Sequence, residues 1–147
     1  MANDFDDCSV TLNAGTNGFR NRLLQAGLRP TRQRLTLGAL LFSDADRHVT
    51  AEALFEEALK ANVRVSLATV YNTLHQFTEA GLLIKVAVDG SKFYFDTNVG
   101  EHHHFLVEDD DSLIDIPGAE VSLDRVPDAP EGFEISRVDV VVRLRRK

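Results

Sequence analysis

Ser66-Leu67-Ala68-Thr69-Val70-Tyr71-Asn72-Thr73-Leu74-His75-Gln76-Phe77-Thr78-Glu79-Ala80-Gly81 is the stretch whose reading decides the fold. Leu67, Val70, Leu74 and Phe77 recur at spacings of three, four and three. At about 100° per residue this is one narrow apolar seam on a helix. Ser66 offers the hydroxyl of a good N-cap, and Gly81 stands where a helix ends on a left-handed residue. The stretch predicts an amphipathic helix over about Leu67 to Ala80. Opposite the seam lie Ala68, Thr69, Asn72, His75 and Gln76, with Tyr71 on the flank. That face is small, polar and nearly uncharged. A helix that meets only water usually carries more Lys and Glu, whereas amides, hydroxyls and a methyl group match base edges in a major groove.

The flanks give this helix a context. Downstream, Leu82 to Val88 is a β-rich run, Asp89-Gly90 is a strong hairpin turn, and Ser91 to Asp96 returns as a second strand. Lys85 and Lys92 sit on that hairpin, placed to meet phosphate or a minor groove. Upstream, three helical segments are expected. The first, about Phe19 to Ala26, puts Phe19, Leu23 and Leu24 on one side and ends at Gly27. Pro30 then forces a turn into the second, about Thr31 to Phe42, with Leu35, Leu37, Ala39, Leu40 and Leu41 available for burial. The third starts after the N-cap Thr50 and carries a stripe of Leu54, Phe55, Ala58 and Leu59. Short helices followed by a two-stranded hairpin are the order of a winged helix-turn-helix domain. The expected contacts to double-stranded DNA are Arg29, Thr31 and Arg34 at the entry to the second helix, Ala68, Thr69, Tyr71, Asn72, His75 and Gln76 on the fourth, and Lys85 and Lys92 on the wing.

Charge agrees once the chain is divided. The net charge of −7 over 147 residues looks wrong for a nucleic-acid binder. Residues 1–85 are net neutral, however, and the whole excess of acid lies in residues 86–147. Between Asp7 and Asp44 there is no carboxylate, while Arg20, Arg22, Arg29, Arg32 and Arg34 supply a local positive stretch. Residues 1–17 are polar, without apolar periodicity, and read as a flexible tail. No apolar leader or long uncharged run occurs, so a cytoplasmic protein without a membrane span is expected. The only cysteine, Cys8, excludes an intrachain disulfide and any Cys-x-x-Cys zinc clamp.

From His102 onward the texture turns to β: His102 to Val107, an acidic turn at Glu108 to Asp111, Leu113 to Ile116, and an alternating run from about Phe133 to Leu144. Pro117, Pro127 and Pro130 leave room for only a short helix near Glu120 to Arg125. The fold class is therefore α+β: a winged-helix domain over 18–97, then a small α/β dimerisation and sensing domain over 98–147 with a three-stranded antiparallel sheet. A sheet of this size has exposed edges and one apolar face, which a second copy of the chain would cover. The expected assembly is a homodimer or a higher oligomer.

His102, His103 and His104 occupy what should be a strand, so His102 and His104 project to one face and His103 to the other. His102 and His104, with His48, Asp96 and Asp115, offer three imidazoles and two carboxylates. Such a set suits Fe(II), Mn(II) or Zn(II) and does not choose among them.

Four motifs carry a resemblance: Gly27-Leu28-Arg29-Pro30-Thr31 with Gln33-Arg34; His48-Val49-Thr50-Ala51-Glu52; Leu67 to Leu74 leading to Gly81; and the histidine run. In order and spacing they resemble the ferric uptake regulator family over about Leu23 to Arg143. The resemblance implies a homodimer of winged-helix domains on a central β dimerisation domain, with a regulatory metal at the hinge. Carried over by position, its ligands are His48, Asp96, His102, His104 and Asp115, and Tyr71 contacts DNA. Where many members bind a structural zinc through two Cys-x-x-Cys pairs, this chain has Val107 and Asp110 at the first and no later cysteine, so that zinc is not expected. Where many have a histidine on the last strand, it has Val138; a second metal site would fall on Glu101, His103 and Glu120. Missing cysteines beside three successive histidines look like the iron response regulator branch, which implies an iron- or haem-responsive repressor on AT-rich, palindrome-like promoter DNA. Cys8 is followed by Ser9 rather than Pro, so haem would have to use His102, His103 and His104. One alternative within the family is a peroxide-sensing, metal-dependent repressor. Another, of a different class, is a small metal-dependent hydrolase, but no nucleophile is evident and an enzyme is not expected.

Overall fold

The computed structural model describes residues 18–43 and 45–147. The expected tail over 1–17, Cys8 included, lies outside the described residues. The chain divides between Val99 and Gly100 into two compact units. Helices and sheets are segregated along it, an α+β arrangement.

The first unit opens with α1 over 18–25 and continues through α2 (Arg32–Leu41), β1 (His48–Val49), α3 (Ala51–Lys60), α4 (Leu67–Glu79), β2 (Ile84–Asp89) and β3 (Lys92–Asp96). Each helix from α2 to α4 starts on a hydroxyl. Thr31 accepts from Arg34 N, Thr50 from Ala53 N and Ser66 from Thr69 N, at 3.3, 3.1 and 3.1 Å. Each such bond satisfies one donor left open by the first turn. The ends are equally defined. Gly81 lies at φ +80°, where Gly81 N donates to Thr78 O at 3.1 Å and Leu82 N to Phe77 O at 2.9 Å. This is the paired bonding of a Schellman end, and its left-handed residue favours glycine. Asn62, at φ 57°, closes α3 in the same way.

One core joins these elements. Leu23, Leu37, Leu41, Leu54, Val70, Leu74, Phe77 and Phe95 are buried, and Phe19 stacks on Phe42 at 5.0 Å between ring centroids. Gly38 makes that stack fit: a Cβ there would meet the Phe19 ring at 1.9 Å. Leu24 and Leu59, expected in the apolar stripes of α1 and α3, are about half exposed instead. Their helices are short, and the core takes only the positions nearest its axis.

β2 and β3 form the expected hairpin, with Val86 opposite Tyr94 and an irregularity between Ala87 and Asp89 at the turn. β1 was not anticipated. Two residues are too few to show alternation, yet β1 pairs antiparallel with β3 and gives the order β1-β3-β2.

The second unit contains β4 (His102–Val107), β5 (Ser112–Pro117), a 3-10 turn over Gly118–Glu120 and β6 (Val141–Leu144). The sheet order is β5-β4-β6. β4 and β5 are antiparallel across the acidic turn, but β6 runs parallel to β4, with His104 beside Val141. The sheet is mixed, which corrects the antiparallel expectation. A parallel return needs a crossover of about a dozen residues or more, and the segment after β5 is long enough to supply it. Two further expectations fail here. The helix near Glu120 to Arg125 is only the 3-10 turn, and the strand expected from Phe133 begins at Val141. Prolines at 117, 127 and 130 remove amide donors along that crossover, and most of its residues stay exposed. No helix among the described residues is long and apolar enough to cross a membrane.

Candidate functional site

The polar face of α4 is built from its cap outward. Ser66 Oγ lies 2.9 Å from Thr69 Oγ1 as well as accepting from Thr69 N, so Thr69 is tied into the first turn. Ala68 and Asn72 are exposed; Thr69, Tyr71, His75 and Gln76 are half-buried. The Tyr71 hydroxyl donates to Glu52 Oε1 on α3 at 2.6 Å. Donation to a carboxylate lowers the Glu52 pKa and raises that of Tyr71.

Several expected DNA contacts have work inside the protein. Thr31 is the cap of α2, and Arg34 donates through Nη1 to the Arg29 carbonyl at 2.8 Å and through Nε and Nη2 to Gln76 Oε1. His75, expected on the open face, packs edge-on to Phe95 at 5.6 Å and lies 6.2 Å from Phe93. Its aromatic body follows the apolar ground at the root of the hairpin rather than water. Lys85 lies with its ammonium 3.8 Å from the Phe93 ring centre, a cation–π contact, and Lys92 is 6.0 Å from the Tyr94 ring centre. Arg29, Lys85 and Lys92 are exposed. Glu52 is the residue missed: nothing in the sequence marks a partner nineteen positions before Tyr71.

The ionisable residues form a group in each unit. In the first, β1 and β3 place His48 opposite Asp96 in register, with His48 Nε2 3.1 Å from Asp96 Oδ2. Asp96 is fully buried, and its Oδ1 accepts from Asn98 N at 2.9 Å. In the second, β4 sends His102 and His104 to one face, with rings 4.6 Å apart, and β5 sets Asp115 opposite His104. Asp115 Oδ1 lies 3.6 Å from His102 Nε2 and 3.5 Å from His104 Nε2. Ligands about 2.1 Å from a tetrahedral ion stand about 3.4 Å apart, so these separations fit atoms converging on one cation.

The tautomer fits as well. His102 Nδ1 is 2.7 Å from the Gly100 carbonyl, which can only accept, so Nδ1 carries the proton and Nε2 presents its lone pair. An imidazole held on a backbone carbonyl in this way is the usual outer support of a metal ligand. His103 is different. It faces the other side of β4, and its Nδ1 accepts from Val140 N at 3.1 Å, which leaves the proton of the neutral ring on Nε2. Among the described residues Glu101, His103 and Glu120 form no second cluster. Glu101 and Glu120 are exposed, while His103 is half-buried.

Comparisons with known proteins follow the same lines. The sequence pattern of the ferric uptake regulator family matches residues 25–143. A ferric uptake regulation protein of Pseudomonas aeruginosa is 33% identical over 129 residues, covering 86% of this chain and 96% of its own. Among solved structures, the ferric uptake regulator of Pseudomonas aeruginosa with manganese aligns at a TM-score of 0.68 and 30% identity, over 87% of this chain and 97% of its own. The Vibrio cholerae ferric uptake regulator, described for a rearrangement of its DNA-binding domains, aligns at 0.67 and 20% identity over 86% and 98%.

Proposed function

The chain belongs to the ferric uptake regulator family of metal-responsive transcriptional regulators, and from that premise we propose that it is a cytoplasmic, homodimeric, iron-responsive repressor of AT-rich, palindrome-like promoters. The first unit is its winged helix-turn-helix, with α4 as the recognition helix and β2 and β3 as the wing. Arg29, Ala68, Thr69, Tyr71, Asn72, Gln76, Lys85 and Lys92 approach DNA. Its signal is a cation, for which His48, Asp96, His102, His104 and Asp115 are the proposed ligands. The observation that carries this reading is the prepared half-site on β4 and β5: a buried pair of imidazoles, one with its tautomer set by a carbonyl, and a carboxylate oxygen at 3.5 and 3.6 Å.

A divalent Fe, Mn or Zn ion would supply the positive charge that holds carboxylates and imidazoles to a common point. Three imidazoles and two carboxylates suit such an ion better than haem, whose iron takes only axial ligands from protein. His102 and His104 are 5% and 0% exposed, which disfavours the approach of a macrocycle. We place the chain in the iron response regulator branch on its histidine run and missing cysteines, with the ion as the direct ligand. His48 sits on β1, just before α3, and Asp96 ends the wing strand β3. An ion shared by these ligands would bias how each copy presents α4, and so the half-site spacing that a dimer spans.

The test is retardation of an AT-rich promoter fragment by the full chain with Mn(II), Fe(II), haem or chelator. A change of affinity on adding Mn(II) or Fe(II), reversed by chelator, supports the reading. Response to haem alone would replace the ion by haem, and no response to any ligand would overturn the sensor.

A further inference from the structure

Gln76 lies on the polar face of α4, four residues after Asn72 and seven after Thr69, so the three fall along one line of the helix. Its amide is clamped. Arg34 Nε and Nη2 donate to Gln76 Oε1 at 3.2 and 3.0 Å, and the third edge of the guanidinium is anchored on the Arg29 carbonyl at 2.8 Å. A guanidinium has no acceptor. The orientation of the amide is therefore dictated by chemistry: with Nε2 turned toward Arg34, donors would face donors. Both lone-pair directions of Oε1 are occupied, and the two N–H groups of Nε2 have no acceptor among the described residues.

This matters for reading bases. A free glutamine recognises adenine with both ends of its amide, the oxygen accepting from N6 and the nitrogen donating to N7. Gln76 has lost the first of these. We infer that Gln76 reads DNA as a donor only, selecting a base edge that offers acceptors alone, guanine through N7 and O6 or thymine through O4, and that Arg34 is the positioning residue that sets this choice. The inference rests on the proposed role of α4 as the recognition helix. It also moves Arg34 from an expected DNA contact to a residue acting through Gln76.

Selection from random duplex DNA by the full-length protein with Mn(II) tests it, comparing wild type with Q76A and R34M. Wild type is expected to select guanine or thymine at one position per half-site, with about tenfold discrimination. Q76A should lose preference at that position alone. R34M frees Oε1 and should move the preference there toward adenine, and R34K, which keeps donors but not the planar fork, should fall between; it also serves if R34M does not fold. Adenine at that position in wild type, or an unchanged motif in Q76A, would overturn the inference. So would a uniform loss of affinity across all sequences in Q76A, the mark of a phosphate contact. Failure of every protein to enrich any sequence would instead refute α4 as a recognition helix, a distinguishable result.

Discussion

The two units bury opposite things. The first closes its own core, with Leu23, Leu41, Leu54, Leu74, Phe77 and Phe95 each fully inside. The second buries His104 completely and His102 almost so, alongside Leu106 and Ile116, while Phe133 is 77% exposed and Ile114, Ile135 and Val142 stay at its surface. A buried imidazole is costly unless partnered, and exposed apolar side chains in number are unusual for a finished domain. The contrast teaches that the first unit is stabilised from within. On the proposed reading, a cation would join the imidazoles of the second and another copy of the chain would cover its exposed apolar face.

The largest effect expected from breaking this contrast is in the first unit. Phe95→Ala removes a fully buried ring that supports His75 and lies on the strand carrying Asp96, and should cost about 3–5 kcal/mol in urea unfolding. In the second unit the double change Phe133→Asp, Ile135→Asp should leave the fold and raise the dimer dissociation constant about a hundredfold, read by sedimentation. An unchanged dimer would place the interface elsewhere. Next comes Gly38→Ala. Helix propensity alone would make it stabilising by about 1 kcal/mol. The Phe19 ring at 1.9 Å from the added carbon predicts the opposite sign, a loss of about 1–3 kcal/mol in the same unfolding assay.

The smallest effect concerns pH. Glu52, lowered by the bond from Tyr71, adds stability that is present above its ordinary carboxylate pKa and lost as pH falls through the depressed value. Tyr71, raised by the same bond, adds stability present below the ordinary phenol pKa and lost as pH rises through the higher one. Both groups are near the surface, so solvent screens the contribution. The chain has two tyrosines, which makes phenolate absorbance a clean measure. Glu52→Ala should bring the Tyr71 transition down toward the ordinary phenol range, while an unchanged titration would contradict the contact.

Legibility in the sequence followed the locality of the physics. Helix α4 was legible because its cap Ser66, its seam and its terminator Gly81 all act within one segment. The hairpin was legible because Asp89-Gly90 defines its own turn. Asp115 opposite His104 was within reach for the same reason, since a short turn fixes the register of β4 and β5. What escaped depends on distant partners. The parallel pairing of β6 with β4 is decided after a long crossover, β1 exists only because β3 is there to pair with it, and His75 turns to Phe95 from another element. The clamp of Arg34 on Gln76 spans 42 positions and leaves no local trace.

The central proposal is that His48, Asp96, His102, His104 and Asp115 are ligands of the same cation. Equilibrium binding of Mn(II) to the wild-type chain, to His48→Ala and to His104→Ala tests it most directly. Loss of an outer support alone lowers metal affinity about 10–100-fold, so loss of a direct ligand should cost at least about a hundredfold. The account predicts one tight ion per wild-type chain and its loss in both variants alike. A wild-type isotherm retained by His48→Ala while His104→Ala abolishes binding would confine the site to the second unit and contradict the account.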